Sequence, residues 1–257
     1  IYVLDARCPA SSYNKNLKKT FGSRPVLYVL NKCDLADNKK VDEFVKLIRE
    51  HGGMSIKLNA VNANSRRDIT GAISSLVAEK QERSLAKGYN RIFRFMVCGV
   101  PNTGKSTLIN LLSREKRAAT GDKAGVTRGK QWIRCDGFEL LDTPGTTPPA
   151  FENQKLAARL AFVGSLNDDI LDMDDIALAL LEELAKKYPQ RLKERYGIEV
   201  GEPFEMLEGV CRRRGFMLRG GEYDYERAER AVIDDFRKGR LGGVTLDEMS
   251  DCDGFEF

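Results

Sequence analysis

GVPNTGKST, at residues 99 to 107, fits the pattern G-x-x-x-x-G-K-[ST] and stands between a β-rich run, FRFMVCG, and a helical run, STLINLLS. In that context the glycines let backbone N–H groups close around a β-phosphate, Lys105 neutralises phosphate oxygens, and the Ser106 hydroxyl is suited to ligate Mg²⁺. We therefore predict a phosphate-binding loop rather than an ordinary glycine-rich turn. Its predicted nucleotide contacts are Pro101, Asn102, Thr103, Gly104, Lys105, Ser106 and Thr107.

The run LLDTPG ends a second predicted strand at Asp142 and places Gly145 three residues later. A carboxylate beside the phosphate loop would hold Mg²⁺, often through water, and the Gly145 N–H would meet a γ-phosphate. Between the two motifs lies GDKAGVTRGKQW, whose Thr127 would join Mg²⁺ while a γ-phosphate is present; the alternative is a mobile surface loop. We predict catalytic roles for Lys105, Thr127 and Gly145, and metal contacts for Ser106, Thr127 and Asp142.

The run NKCD, at residues 31 to 34, predicts which base is bound. The Asp34 carboxylate can accept hydrogen bonds from N1–H and the 2-amino group of guanine, whereas adenine has no such pair of donors. Asn31 would steady the base edge and the loop, and the stem of Lys32 would lie across the base. Asn59 and Ala60, in KLNAVNA, stand where a backbone N–H would meet guanine O6. The predicted ligand is therefore GTP or GDP.

Short β-rich runs alternate with helical patterns in the first half of the chain, which favours a mostly parallel sheet with helices on both faces. QWIRCDGFELLD predicts an antiparallel hairpin at the sheet edge, with Asp136-Gly137 in a type I′ turn. The predicted parallel strands are IYVLDA (1 to 6), PVLYVL (25 to 30), MSIKLN (54 to 59) and FRFMVCG (93 to 99).

After DTPGTTPPAF the pattern becomes helical, so we predict an α/β GTP-binding domain over 1–150 and a smaller all-α domain over 151–257. The closing SDCDGFEF has no periodicity and is expected to be disordered. Charge changes at the same place: residues 1 to 149 carry 26 Lys and Arg against 14 Asp and Glu, and residues 150 to 257 carry 16 against 24. A basic first half suits a polyanionic partner, although a solvated mixed surface gives the same count.

Composition excludes several other classes. The chain has 257 residues, 42% of them hydrophobic, and no apolar run near the roughly 20 residues of a membrane span, so we predict a cytoplasmic protein. Its six cysteines have no metal-ligand spacing and are expected to be reduced, and the single histidine, His51, is expected to end a helix.

Taken together, the motifs resemble the circularly permuted GTPases, in which the base-reading motif precedes the phosphate loop. A sheet keeps its ligand-binding edge when the chain is cut and rejoined elsewhere. Within that group the chain resembles the ribosome biogenesis GTPase A (YlqF-related) family over nearly its whole length. The runs that carry the likeness are LDAR, NKCDL, GVPNTGKSTLIN, AGVTRGKQW, LLDTPG and LAFVGS.

The resemblance implies GTP hydrolysis coupled to late maturation of the large ribosomal subunit, with the helical domain on ribosomal RNA and a monomer when free. Asn102 resembles an asparagine that binds K⁺ in related GTPases; the alternative is a loop-stabilising role. Arg212, Arg213 and Arg214 are interpreted as RNA contacts, with stabilisation of a helix C-terminus as the alternative.

Two departures qualify these implications. The chain begins inside a strand, so we expect that a preceding segment is missing. Thr146 is too short to orient water as a glutamine does, which predicts slow turnover without a partner. A guanine-nucleotide-sensing module with little hydrolysis is therefore the competing hypothesis. A hydrolysis-linked change at 142 to 147 is expected to reorient the helical domain.

Overall fold

We describe a computed structural model that covers residues 1–113, 131–147, 153–255 and 257, and for Gln131 the backbone alone. Thr127 and the predicted domain boundary near residue 150 lie outside the described residues.

Six strands form the described part of the sheet. The parallel strands β1, β2 and β3 pair in that order, and β4 pairs in parallel with β6, which pairs antiparallel with β5. A parallel bridge between Tyr2 and Cys98 joins the two sets, so the spatial order is β3-β2-β1-β4-β6-β5. The bounds are Tyr2–Asp5 (β1), Leu27–Asn31 (β2), Met54–Leu58 (β3), Phe93–Val97 (β4), Gln131–Arg134 (β5) and Phe138–Asp142 (β6).

The β5–β6 hairpin is at the edge, as predicted, but its turn is not type I′. That turn needs positive φ at both central residues. Gly137 has a φ of 85°, whereas Asp136 is not among the non-glycine residues with positive φ. The dipeptide therefore predicted the hairpin correctly and its backbone geometry wrongly.

Helices pack on both faces of this sheet: α1 (Lys15–Lys19), α2 (Asn38–Glu50), α3 (Ser65–Leu85) and α4 (Lys105–Leu112). The Asp37 side chain caps α2 by accepting from the amides of Lys39 and Lys40, and His51 ends it as predicted. Val41, Phe44, Val45 and Ile48 form its buried face. Since α3 leads from β3 toward β4, the chain runs from the base-reading half of the sheet into the phosphate-binding half.

From residue 153 the structure is helical, as predicted: α5 (Gln154–Phe162), α6 (Met173–Lys187), α7 (Pro189–Tyr196), α8 (Pro203–Arg214) and α9 (Tyr225–Arg237). These helices bury a core of their own, in which Leu180, Leu181, Leu207 and Val232 are fully inaccessible. In the described part of the chain, no helix is both long and apolar enough to cross a membrane.

Residues 250–255 and 257 are packed against the rest of the protein, so the expectation of disorder for SDCDGFEF was wrong for these residues. Met249–Cys252 form a 3₁₀ turn, and the Phe255 ring stacks on Tyr13 with centroids 4.6 Å apart. Burial of aromatic side chains outweighed the missing periodicity. Because Phe255 belongs to the core around Tyr2 and Tyr28, the end of the chain packs against the α/β part.

Candidate nucleotide-binding site

The predicted site residues that the structure describes, which are all of them except Thr127, come together at one edge of the sheet. β1 ends at Asp5, β2 at Asn31, and β6 at Asp142, while β4 leads into Gly99. β1, β2, β3, β4 and β6 are linked by parallel pairing, so their carboxyl ends meet at the same edge. The permuted order of the motifs therefore does not separate them in space.

The phosphate loop has the backbone that its sequence predicts. Gly104 precedes α4 with φ 92°, and a Cβ there would lie 2.2 Å from Asn31 Nδ2, so only glycine fits. Thr103 is fully buried, and its Oγ1 donates to Val100 O over 3.1 Å. Ser106 and Thr107 follow in the first turn of α4, both partly exposed. The amides at this helix start are placed to receive an anion.

Asn31 joins three loops through one side chain. Its Nδ2 donates to Thr103 O over 2.8 Å, and its Oδ1 accepts from the Ala60 amide over 3.0 Å. At 2% exposure, this amide is a structural link between base loop and phosphate loop. These two hydrogen bonds are the geometry expected if Asn31 steadies the loop, as predicted from the sequence.

Asp34 and Lys32 of the base loop differ in their surroundings. Asp34 is exposed in a 3₁₀ turn, Cys33–Leu35, and its carboxylate has no hydrogen bond or ion pair among the described residues. Lys32 adopts φ 62° and its Nζ donates to Asn102 O. The Asp34 carboxylate is open to solvent, and Lys32 is held against the phosphate loop. This arrangement leaves the carboxylate free to accept hydrogen bonds from the edge of a base.

The assignment of Ala60 to guanine O6 stays a prediction. The Ala60 N–H donates to Asn31 Oδ1, and Asn59 Oδ1 accepts from the Val61 amide over 3.0 Å. Base binding through Ala60 would require the first of these bonds to be shared or broken.

Lys105 and Asp142 form the electrostatic centre of the site. The Lys105 Nζ donates to Val100 O over 2.8 Å, and burial lowers the pKa of Lys105 to about 8, an effect that the Asp142 charge partly opposes. Burial likewise raises the pKa of Asp142, against the effect of Lys105. The Asp142 Oδ1 atom is buried and accepts no hydrogen bond from any of the described residues. A buried carboxylate oxygen without a donor fits a divalent cation.

Gly145 lies directly on the phosphate loop. A Cβ at this position would stand 2.8 Å from both N and Cα of Pro101, so any larger residue would push the loops apart. The next residue, Thr146, is exposed and its amide donates to Gly99 O over 3.2 Å. DTPG thus closes one side of the phosphate loop.

The turn after α5 holds the other side of the phosphate loop. Asn102 Nδ2 donates to Gly164 O over 2.5 Å, and Ser165 Oγ donates to Pro101 O over 2.7 Å. These contacts support the loop-stabilising interpretation of Asn102 and bring the helical part of the chain to the site. Sequence reasoning used LAFVGS only as a likeness and assigned no role to Gly164 or Ser165.

Asp5 and Arg7 are further residues of the site that motif reasoning did not assign. Asp5 is fully buried and pairs with Arg7 over 2.7 Å and with Lys32 over 3.0 Å. Burial alone would raise the pKa of Asp5, but the charges of Arg7 and Lys32 outweigh it and hold that pKa well below its ordinary value. The available signal was LDAR, whose carboxylate ends a strand at the ligand edge.

The chain is similar to known proteins both in sequence and in structure. A family model described as a 50S ribosome-binding GTPase matches residues 94–200. The chain is 40% identical over 251 residues to ribosome biogenesis GTPase A of Bacillus cereus, covering 96% of this chain and 85% of that protein. Among solved structures, GDP-bound YlqF from T. maritima superposes with a TM-score of 0.70 at 28% identity, covering 96% of this chain and 93% of the other. GNP-bound YlqF from T. maritima superposes with a TM-score of 0.67 at 27% identity, covering 96% of this chain and 91% of the other.

Proposed function

This chain belongs to the ribosome biogenesis GTPase A family and is a GTP-binding, GTP-hydrolysing ribosome assembly factor; from that premise we propose that it acts in late maturation of the large ribosomal subunit. The observation that carries the proposal is the meeting of the phosphate loop, Asp142, Gly145 and the exposed Asp34 at one sheet edge. The matched family description, which names 50S binding, supports the choice of subunit.

Within this site, Asp34 selects guanine and Lys105 neutralises the phosphates. Asn31, Lys32, Asn59 and Ala60 complete the base pocket. The remaining proposed nucleotide contacts are Pro101, Asn102, Thr103, Gly104, Ser106, Thr107, Thr127 and Gly145.

Mg²⁺ would be held by Ser106, Thr127 and Asp142 together with the phosphates, and it would neutralise charge on the transferring phosphoryl group. The Asp142 Oδ1 atom supports this assignment, because it is buried and has no hydrogen-bond donor within the described part of the chain. Among the described residues, no three His, Cys, Asp or Glu side chains converge as a metal site. We therefore expect Mg²⁺ to bind with the nucleotide and not ahead of it.

K⁺ near Asn102 is a compatible addition. Asn102 Nδ2 donates to Gly164 O, and the amide oxygen Oδ1 would be the atom that binds the ion. Hydrolysis that is faster in potassium than in sodium supports this role, and equal rates would refute it and favour the loop-stabilising interpretation.

The ribosome-facing surface that we propose lies at the C-terminus of α8. Arg214 pairs with the buried Asp235 over 2.7 Å and lies over the Tyr196 ring, so it stabilises the helical core. Arg213 is exposed and has no hydrogen bond or ion pair among the described residues, while Arg212 contacts only the Tyr223 hydroxyl, over 3.3 Å. We therefore propose RNA contact for Arg212 and Arg213. The sequence had suggested the same role for Arg214, to which we now assign a structural role.

We further propose that the protein works in the cytoplasm as a monomer, with residues 1–150 forming the GTP-binding domain and 151–257 the RNA-contacting domain. The separate helical core supports this division. The Phe255 ring stacks on Tyr13, so the last residues of the chain contact residues near its start.

GTP turnover tests the proposal. In potassium buffer with Mg²⁺, purified large ribosomal subunits should accelerate turnover and small subunits should not, because Thr146 supplies no water-orienting amide. Arg212→Glu combined with Arg213→Glu should weaken binding to large subunits and leave GDP affinity unchanged. Equal turnover with and without large subunits, while GTP still binds, would favour a nucleotide-sensing module and overturn the proposed coupling.

A further inference from the structure

The nucleotide loops and the helical part of the chain are joined by a set of polar contacts that closes into a ring through the backbone of residues 161 to 164; we call it the interloop network. Its members are Asp5, Arg7, Lys32, Asn102, Ala161, Phe162, Gly164 and Arg237.

The first half of the network starts at the base loop. Lys32 pairs with Asp5 over 3.0 Å, and Asp5 pairs with Arg7 over 2.7 Å. Arg7 then donates from Nη1 to Arg237 O over 3.1 Å and lies over the Phe236 ring, at the end of α9. A buried carboxylate thus connects the lysine of the base loop to a helix end more than two hundred residues away.

The second half returns to the phosphate loop. The Arg237 guanidinium donates to Phe162 O over 3.1 Å and to Ala161 O over 2.8 Å, at the end of α5. Gly164 follows with φ 74°. A Cβ at this position would lie 3.2 Å from Arg237 Cζ, so the backbone of this turn packs closely against the guanidinium. Gly164 O accepts from Asn102, and Asn102 O accepts from Lys32, which closes the network.

Stability alone gives little reason for the charges in this network. Replacing a buried ion pair with apolar side chains is often neutral or stabilising, because both charges lose their hydration. Arg7 is 1% exposed and Asp5 is fully buried. What the charged side chains provide, and apolar ones do not, is directional contact with both nucleotide loops.

The segment after α9 makes a second set of contacts with the same base loop. The Val244 amide donates to Leu35 O over 3.2 Å, and Thr245 Oγ1 accepts from the Asp37 amide over 3.1 Å. The segment that follows α9 therefore lies against the turn that carries Asp34. Displacing α9 would disturb the base loop through this segment and through the interloop network together.

We propose that Arg237 is a positioning residue for the nucleotide site, and that the docking of α9 thereby controls how long guanine nucleotide is retained. The inference rests on the proposed guanine-nucleotide site. A ribosomal surface that pulls on α9 would loosen base loop and phosphate loop at once and release GDP. By thermodynamic linkage, bound nucleotide must in turn favour the docked position of α9.

Dissociation of fluorescent mant-GDP from the full chain tests the inference without ribosomes. Arg237→Lys keeps the charge but loses the forked contacts with Ala161 O, Phe162 O and Asp168, and we expect dissociation about tenfold faster. Ser165→Ala removes only the bond to Pro101 O and should accelerate dissociation about threefold.

The matched control is Arg66→Lys, on α3. Arg66 donates to Leu111 O over 2.8 Å and to Asp136 over 3.2 Å at 37% exposure, against 24% for Arg237, and among the described residues these contacts involve neither α9 nor a nucleotide loop. Its thermal unfolding should shift about as much as that of Arg237→Lys, while mant-GDP dissociation should match the unmodified chain.

Two results would overturn the inference. One is an unchanged dissociation rate in Arg237→Lys, whatever the rate in Ser165→Ala. The other is equal acceleration in Arg237→Lys and Arg66→Lys, which would indicate general loosening. Failure of the unmodified chain to bind mant-GDP would instead remove the proposed guanine-nucleotide site itself, and the inference with it.

Discussion

Lys105 is a buried cation whose charge depends on its ligand. Burial lowers its pKa to about 8 before nucleotide binds. The negative charge of the phosphates favours the protonated form of Lys105. At a pH where part of Lys105 is deprotonated in the empty site, nucleotide binding therefore takes up a proton. The fraction of empty sites in which Lys105 is protonated falls as the pH rises through 8. Raising the pH from 7 to 8.5 should therefore weaken GDP binding, by about fourfold.

Calorimetric titration across this pH range measures the effect. In Lys105→Arg the guanidinium stays charged, so GDP affinity should be nearly independent of pH. A flat profile in the unmodified chain would show that Lys105 is already fully charged without nucleotide.

Asp34→Asn tests base selection. An amide at this position offers a donor where guanine N1–H needs an acceptor, so GDP affinity should fall about a hundredfold or more and xanthosine diphosphate should become the preferred ligand. Competition between the two diphosphates measures the change. Asp37→Asn is the control, since it keeps the cap of α2 and should leave preference unaltered. Persisting GDP preference in Asp34→Asn would refute the assigned role.

Residues of the site were predictable wherever a local motif carries the chemistry. Gly104, Lys105, Asp142 and Asn31 lie where the motifs place them. Arg237 was not predictable, because its role depends on contacts with a turn about seventy positions earlier in the chain. Such long-range polar contacts have no periodicity or spacing that a single sequence reveals.

At the scale of elements, the end of the chain provides the clearest test. Phe255 is nearly buried, stacks on Tyr13 at 4.6 Å, and joins the core beside β1 and β2. Phe255→Ala should lower the free energy of unfolding by about 3 kcal/mol. Phe204→Ala, at a phenylalanine that is 49% exposed, should lower it by less than about 1 kcal/mol. Urea unfolding compares the two, and equal losses would contradict the packing described for the last residues.

The helix α2 was predictable because its hydrophobic periodicity is strong: Val41, Phe44, Val45 and Ile48 form its buried face. The Asp136-Gly137 turn and the SDCDGFEF segment were predicted wrongly for different reasons. A turn dipeptide restricts its backbone without fixing it. A short aromatic segment is ordered by the surface that receives it, and that surface comes from residues near the start of the chain.

At the scale of the whole molecule, the structure adds contacts to the expected coupling between nucleotide and helical domain. The predicted route through 142 to 147 continues into residues outside those described, so that route stays a prediction. A second route lies within the described residues: Gly164 and Ser165 hold the phosphate loop, and the segment after α9 holds the base loop. Both nucleotide loops are thus in contact with the helical part.

The affinity of the full chain for purified large ribosomal subunits, measured with GDP and with a non-hydrolysable GTP analogue, tests the central claim most directly. A nucleotide site linked to the helical part should bind large subunits about tenfold more tightly with the analogue, and small subunits weakly with either nucleotide. Equal affinity for large subunits in both nucleotide states would contradict the claim that the nucleotide controls ribosome binding.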